Sequence, residues 1–169
     1  DRLFRNDSGT FVSVNDGPIV NDEGRTFGSA WGDVDNDGDI DLAVVNRDGA
    51  DALYFNDGAG SFSAIPFGDA ADGWSLAATL VDDDEDGDLD LFTTHGSYAG
   101  QSRNRLFRNT TDSLRHWLQV DLRSVESDRF GLGAAVRAYV TIDSVARVLR
   151  RDVSGRSGRM AQDGLRLHF

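Results

Sequence analysis

Asp33-Val34-Asp35-Asn36-Asp37-Gly38-Asp39-Ile40-Asp41 and Asp82-Asp83-Asp84-Glu85-Asp86-Gly87-Asp88-Leu89-Asp90 share one pattern, D-x-D-x-D-G-D-x-D, and each runs straight into an apolar segment. Carboxylates on alternate residues around a glycine suit a hard divalent cation. Ca²⁺ takes six to eight oxygens at about 2.3–2.6 Å, and the chain must turn tightly around it. Glycine makes such a turn without a Cβ penalty. By analogy with other loops of this kind, the side chains at the first, third, fifth and ninth places coordinate, with the backbone carbonyl of the seventh. The expected ligands are therefore Asp33, Asp35, Asp37, Asp41 and the carbonyl of Asp39, then Asp82, Asp84, Asp86, Asp90 and the carbonyl of Asp88. Two Ca²⁺ sites are predicted.

A merely solvated acidic turn is the competing reading. Five carboxylates in nine residues repel one another, and a folded loop of that kind needs a counter-charge. Mg²⁺ is disfavoured because it prefers a smaller octahedron that keeps its waters. An EF-hand is disfavoured at the twelfth place, where Val44 and Thr93 stand instead of glutamate. The residues that follow are β-branched or aromatic, so strands bound these loops.

The loops sit inside a longer repeat. Leu3-Phe4-Arg5-Asn6-Asp7, Leu53-Tyr54-Phe55-Asn56-Asp57 and Leu106-Phe107-Arg108-Asn109 recur 50 and 53 residues apart, and the acidic loops recur 49 apart. Periods of this size signal solenoids, propellers or arrays. Asn-Asp-Gly-like turns between apolar runs predict hairpins. A third strand is expected over Phe27 to Gly32 and Ser75 to Val81, then the acidic loop, then a fourth strand over Asp41 to Asn46 and Asp90 to Thr94. Four short strands per roughly 50 residues fit propeller blades. No sustained helical spacing occurs. The expected class is all-β: a partial β-propeller of about two complete blades plus a small C-terminal β domain.

These repeats resemble the FG-GAP or VCBS type of integrin-α-like β-propellers, whose blades carry a calcium loop between two strands. The resemblance spans about residues 1–112. The remainder, residues 113–169, has His116-Trp117-Leu118-Gln119-Val120, Gly131-Leu132-Gly133-Ala134, Ser154-Gly155-Arg156-Ser157-Gly158, Gln162 and Leu167-His168-Phe169. It is similar to the module shared by cartilage acidic proteins and UnbV-type proteins (ASPIC/UnbV), which follows FG-GAP repeats in that family. Asp1 already falls inside a hairpin motif, and the family pattern continues past the His-Phe pair. A piece of a longer protein is therefore expected. Since a propeller closes with four or more blades, apolar edges should be exposed.

Charge divides the chain the same way. Net charge is −12, yet residues 1–115 hold 23 acidic and 8 basic residues while residues 116–169 hold 6 and 9. A boundary is placed near Thr111–Leu114. Twelve of the 23 acids lie in the two loops, so the acidity mostly reports metal sites, and nucleic acid is disfavoured as a partner by phosphate repulsion. Without cysteine there are no disulfides. No run is long and apolar enough for a membrane span. Loops of this kind suit the weak extracellular affinities of about 10⁻⁴–10⁻³ M, so an extracellular or cell-surface location is expected.

Other residues are read as structural. Phe27, Trp31 and Trp74 invite a carbohydrate-stacking reading, but their strand positions favour the blade core. His95, His116 and His168 stand alone without metal-ligand spacing. Carboxylate pairs within the loops are withdrawn from acid–base work by the cation, and no nucleophile elbow occurs. Arg147, Arg150, Arg151, Arg156 and Arg159 are expected to alternate on an exposed face and pair with acids such as Asp143 and Asp152. A sulfated or phosphorylated ligand is the alternative for that cluster. Gly131, Gly133, Gly155 and Gly158 are assigned to turns or bulges. The function expected is a calcium-binding interaction or adhesion-type module without catalysis, with an unidentified protein or glycan ligand. The alternative is the scaffold of a secreted polysaccharide-acting enzyme whose catalytic residues lie elsewhere.

Overall fold

The unbroken apolar run Leu42-Ala43-Val44-Val45 makes a strand whose two faces both need covering. The computed structural model describes residues 1–68, 74–96, 103–111, 116–125, 128–142, 144–155 and 164–169. Strands β1 (Leu3–Asp7) and β2 (Thr10–Val14) form a hairpin, and β3 (Thr26–Gly32), β4 (Asp41–Asn46), β5 (Asp51–Asn56) and β6 (Phe62–Phe67) form a four-stranded antiparallel sheet in sequence order. A three-stranded sheet follows from β7 (Trp74–Val81), β8 (Asp90–Gly96) and β9 (Arg105–Phe107). No helix occurs among the described residues. The fold is all-β and partial-propeller-like, as the repeats predict.

The phasing of the blades differs from the sequence units. Each acidic loop joins the first two strands of its sheet, and the hairpin that follows completes that same sheet rather than opening the next. Tyr54 pairs with Leu42 and Phe107 with Leu91. The complete sheet therefore runs from Thr26 to Phe67, and β1–β2 stands apart as a two-stranded unit. Three described strands make the second sheet.

Both faces of β4 are buried, which is what stacked blades require. Ala43 and Val45 meet Ala30, Ala78 and Leu91 between the two sheets, with Leu53, Phe67, Leu80 and Phe107 packed around them. Phe67 and Phe107 close this core edge to face, with ring centres 5.3 Å apart. On the opposite face Leu42 and Val44 pack with Ile19 and Tyr54, joined by Leu3, Ala52 and Phe62. The sheets approach closely at Gly28, where a Cβ would lie 3.0 Å from the backbone of Ala77. Phe4, Phe11 and Val12 of the first hairpin remain exposed, matching the expected apolar edge.

The last part of the chain has its own small core. Strands β10 (Gln119–Val120) and β13 (Leu167–His168) pair, as do β11 (Ala135–Ile142) and β12 (Val145–Asp152). Leu149, Val153, Leu167 and Phe169 are buried between them with Val120, Val136, Ala138 and Val140. Backbone bonds Leu118 N–H to Phe169 O (2.8 Å) and Val153 N–H to Ala134 O (2.8 Å) tie the pieces together. The expected boundary at 112/113 falls outside the described residues.

Candidate metal centre

Each acidic loop is first held by its own backbone. Gly38 N–H donates to Asp33 Oδ2 at 3.0 Å, Asp37 N–H to Asp35 Oδ1 at 3.2 Å, and Asp39 N–H to Asp37 Oδ1 at 2.8 Å. The second loop repeats this, with Gly87 N–H on Asp82 Oδ2 at 3.0 Å and Asp88 N–H on Asp86 Oδ1 at 2.9 Å. The fourth and sixth places are left-handed in both: Asn36 φ +58° and Gly38 φ +93°, then Glu85 φ +62° and Gly87 φ +95°. Asparagine tolerates that conformation well and glycine better still. Two copies of one conformation follow from two copies of one pattern.

The carboxylates converge unequally. Oxygens of Asp33, Asp35 and Asp37 lie within 4.8 Å of one another, and so do those of Asp82, Asp84 and Asp86. The ninth residue, predicted as a ligand, also works as a clasp. Asp41 Oδ2 accepts Val34 N–H and Oδ1 accepts Asn56 N–H, each at 2.8 Å. Asp90 does the same with Asp83 N–H at 3.2 Å and Asn109 N–H at 2.8 Å. The seventh-place side chains turn outward to partners, Asp39 to Arg147 at 2.9 Å and Asp88 to Asn36 at 2.7 Å.

Burial leaves one carboxylate oxygen of the first loop without a partner among the described residues: Asp33 is 2% exposed, and its Oδ1 accepts no hydrogen bond from them. Burial pushes its pKa up to about 7, although Arg151 pulls the other way. Burial likewise raises Asp41 to about 6 against the two backbone donors, and raises Asp88. A buried carboxylate with a bare oxygen beside two further carboxylates is the donor set a hard cation satisfies. The residues fit calcium.

Asn56 and Asn109 are the functional residues that sequence reasoning missed, having been read only as turn formers. Beyond their backbone bonds to the clasps, Asn56 Nδ2 donates to Ile40 O at 3.1 Å, and Asn109 Nδ2 to Leu89 O at 3.3 Å and Val34 O at 2.7 Å. Their place at the end of the repeated Leu-Phe/Tyr-x-Asn stretch was the available signal. Asn36 also crosses between the loops through Asp88, so the two sites share one scaffold.

The C-terminal strands seat on these loops. Arg151, on β12, donates to Asp33 Oδ2 at 3.2 Å, and Gln119 Nε2, on β10, donates to Asp82 Oδ2 at 2.6 Å. Ile142 lies where a Gly38 Cβ would point, 2.6 Å from it, and Trp117 covers Gly87. His168 Nε2 bonds the Gly87 carbonyl at 2.8 Å and its ring stacks on Trp117. Burial lowers the His168 pKa, and Nε2–H is the group that donates to the carbonyl.

Three structural expectations change. Arg147 and Arg151 share the inward face of β12 with Leu149, because strand residues alternate. Only Arg150 takes the exposed position and pairs with Asp152, at 2.7 Å; Arg156, Arg159 and Asp143 lie outside the described residues, as do Gly158 and Gln162. Trp31 is 47% exposed rather than in the blade core; it stands near the end of β3, at a cavity of about 330 Å³ lined also by Asp33, Asp82, Gln119 and Arg151. Trp74 lies under the Arg47 guanidinium, 4.5 Å from the ring centre. His95 does have a structural place: it bonds Thr93 at 2.8 Å and lies 3.4 Å from Ser75, whose hydroxyl donates to Asp51 at 2.7 Å. The serine stands between acid and histidine and all four are buried, so this is not the order of a nucleophilic triad.

Residues 33–93 match the family model of the FG-GAP-like repeat. The match opens on the first carboxylate of loop one, takes in all of loop two and ends in β8. This stretch of the chain carries an FG-GAP-like repeat, a kind of module that is generally non-catalytic and serves protein interaction. No curated protein matches the chain.

Proposed function

We propose that the chain is a calcium-stiffened extracellular interaction module of the adhesion type, without catalysis of its own. Two ions would be held by Asp33, Asp35, Asp37 and Asp41 with the Asp39 carbonyl, and by Asp82, Asp84, Asp86 and Asp90 with the Asp88 carbonyl. The bare, buried Oδ1 of Asp33 within a duplicated carboxylate triad carries the reading. Calcium supplies the charge that neutralises the converging carboxylates. The chain supplies the rest: Asp41 and Asp90 lock each loop to the end of the third strand of its own sheet, and Asn36 and Asn109 lock the loops to one another.

Residues 113–169 form a second domain in this reading, of the ASPIC/UnbV kind, supported by a separate apolar core. Secretion is supported by the affinity class of such loops, and no described helix is long and apolar enough to cross a membrane. The partner is a protein or a glycan. Half-exposed Trp31 beside polar groups in the 330 Å³ cavity favours a glycan contact. A scaffold role beside a polysaccharide-acting catalytic domain shares that observation. Calorimetric titration of chelator-stripped protein tests the central claim: about two Ca²⁺ sites and little response to Mg²⁺ are expected. No calcium uptake would refute it.

A further inference from the structure

We propose that the C-terminal unit sets the calcium affinities of the two loops through one residue each, Arg151 weakening loop one and Gln119 leaving loop two tight. The inference rests on the calcium reading above. The same atom is addressed in both loops. Asp33 Oδ2 accepts Gly38 N–H and Arg151, whereas Asp82 Oδ2 accepts Gly87 N–H and Gln119. Equivalent carboxylates thus meet a cation in one loop and a neutral amide in the other.

The sign follows from burial. The side chains of Arg151 and Asp33 are 13% and 2% exposed, so water screens little between the guanidinium and a metal ion on the same carboxylate. Arg151 is also fixed in place. It donates to His168 O at 2.9 Å and lies over the Phe169 ring at 5.3 Å. Swinging away would break both contacts. Arg147 adds a second positive charge at Asp39, 2.9 Å away. Docking could instead favour calcium by ordering the loop. Loop one, however, is already ordered by its own bonds to Val34, Asp37, Gly38 and Asp39 N–H, so repulsion between the cations decides the sign.

In loop two the equivalent position holds half-buried Gln119, whose Oε1 accepts Arg166 at 3.0 Å. Among the described residues Arg108 pairs with Asp84, itself a predicted ligand, and Arg166 with Glu85, but the side chains of these arginines are 55% and 47% exposed, where solvent screens them. Linkage makes the effect reciprocal: calcium in loop one loosens the hold of Arg151 on the blade.

Calcium titration by calorimetry on the full chain tests this, with Arg151→Gln, Gln119→Arg and, as control, Arg150→Gln. An Asp84→Asn/Asp86→Asn background isolates loop one, and circular dichroism confirms that each variant is folded. Arg151→Gln is expected to tighten loop one about tenfold or more, and Gln119→Arg to weaken loop two by a similar factor. Arg150→Gln should change neither. Unchanged or weaker calcium binding in Arg151→Gln overturns the inference. If that variant fails to fold, an unchanged loop two in Gln119→Arg overturns it instead. Wild-type protein that binds two ions with equal affinity sinks this inference alone, whereas protein that binds none sinks the calcium reading beneath it.

Discussion

Replacing Gly87 with alanine separates the seat of the C-terminal unit from ordinary turn strain. Gly87 and Gly9 share the same φ of +95°, so both substitutions carry a left-handed backbone cost of about 1–2 kcal/mol. An added methyl at Gly9 meets nothing within 4 Å, whereas at Gly87 it falls inside the Trp117 indole. Trp117 is 43% exposed, so rather more than half of its surface is packed. With roughly 200 Å² for an aromatic side chain at about 25 cal/mol per Å², displacing it costs about 2–3 kcal/mol. Gly87→Ala should therefore lose about 3–5 kcal/mol and Gly9→Ala about 1–2 kcal/mol. In a Trp117→Ala background the Gly87 loss should shrink to the Gly9 value, since only strain remains. Urea unfolding followed by circular dichroism, in chelator so that metal linkage is absent, measures all four differences. Equal losses for Gly9→Ala and Gly87→Ala, or a Gly87 loss unaffected by removing Trp117, would refute the claim that the indole sits on the loop.

Asp37→Ala should lower the melting temperature clearly in excess calcium and little in chelator, while Asp7→Ala, in an exposed hairpin ion pair, should do neither; saturation at about 100 times Kd is worth roughly 2.7 kcal/mol. The pH response should reverse with calcium. Asp33 and Asp41 are raised to about 7 and about 6 from the ordinary 3.8, so between those limits the folded chain binds more protons than the unfolded one. Metal-free stability then rises as pH falls from 7.5 toward 5 and is lost as pH climbs back, with Asp33 contributing about 2–3 kcal/mol over that range. In calcium, acidification over the same range should destabilise, because protons compete for the ligands; melts at pH 5.5 and 7.5 with and without calcium check both signs. Asn109→Ala removes side-chain bonds to Val34 O and Leu89 O and should cost about 1–3 kcal/mol by urea unfolding even in chelator.

Short-range pattern was enough for much of this protein. Alternate carboxylates around glycine define a loop conformation through bonds spanning two to seven residues, as the Asp33–Gly38 and Asp41–Val34 contacts show. Period-two apolar runs with Asn-Asp-Gly turns define strands and hairpins. The all-β class, both acidic loops and the strands bounding them were therefore legible in the chain alone.

What only the tertiary structure decided is longer in range. A hairpin offers similar edges to the blade before it and the blade after it, so periodicity could not say that Asp51–Phe67 completes the earlier sheet; the pairing of Tyr54 with Leu42 did. Trp31 could not be separated from core aromatics by strand position, because its exposure beside a cavity near the end of β3 depends on which elements dock there. Arg151 reaches Asp33 across 118 residues and Arg147 reaches Asp39 across 108. Charge composition recorded those arginines only as part of a basic tail. Their function as counter-charges to an acidic loop depends on two units docking, and docking is set by shape and burial summed over both surfaces, which no local spacing encodes.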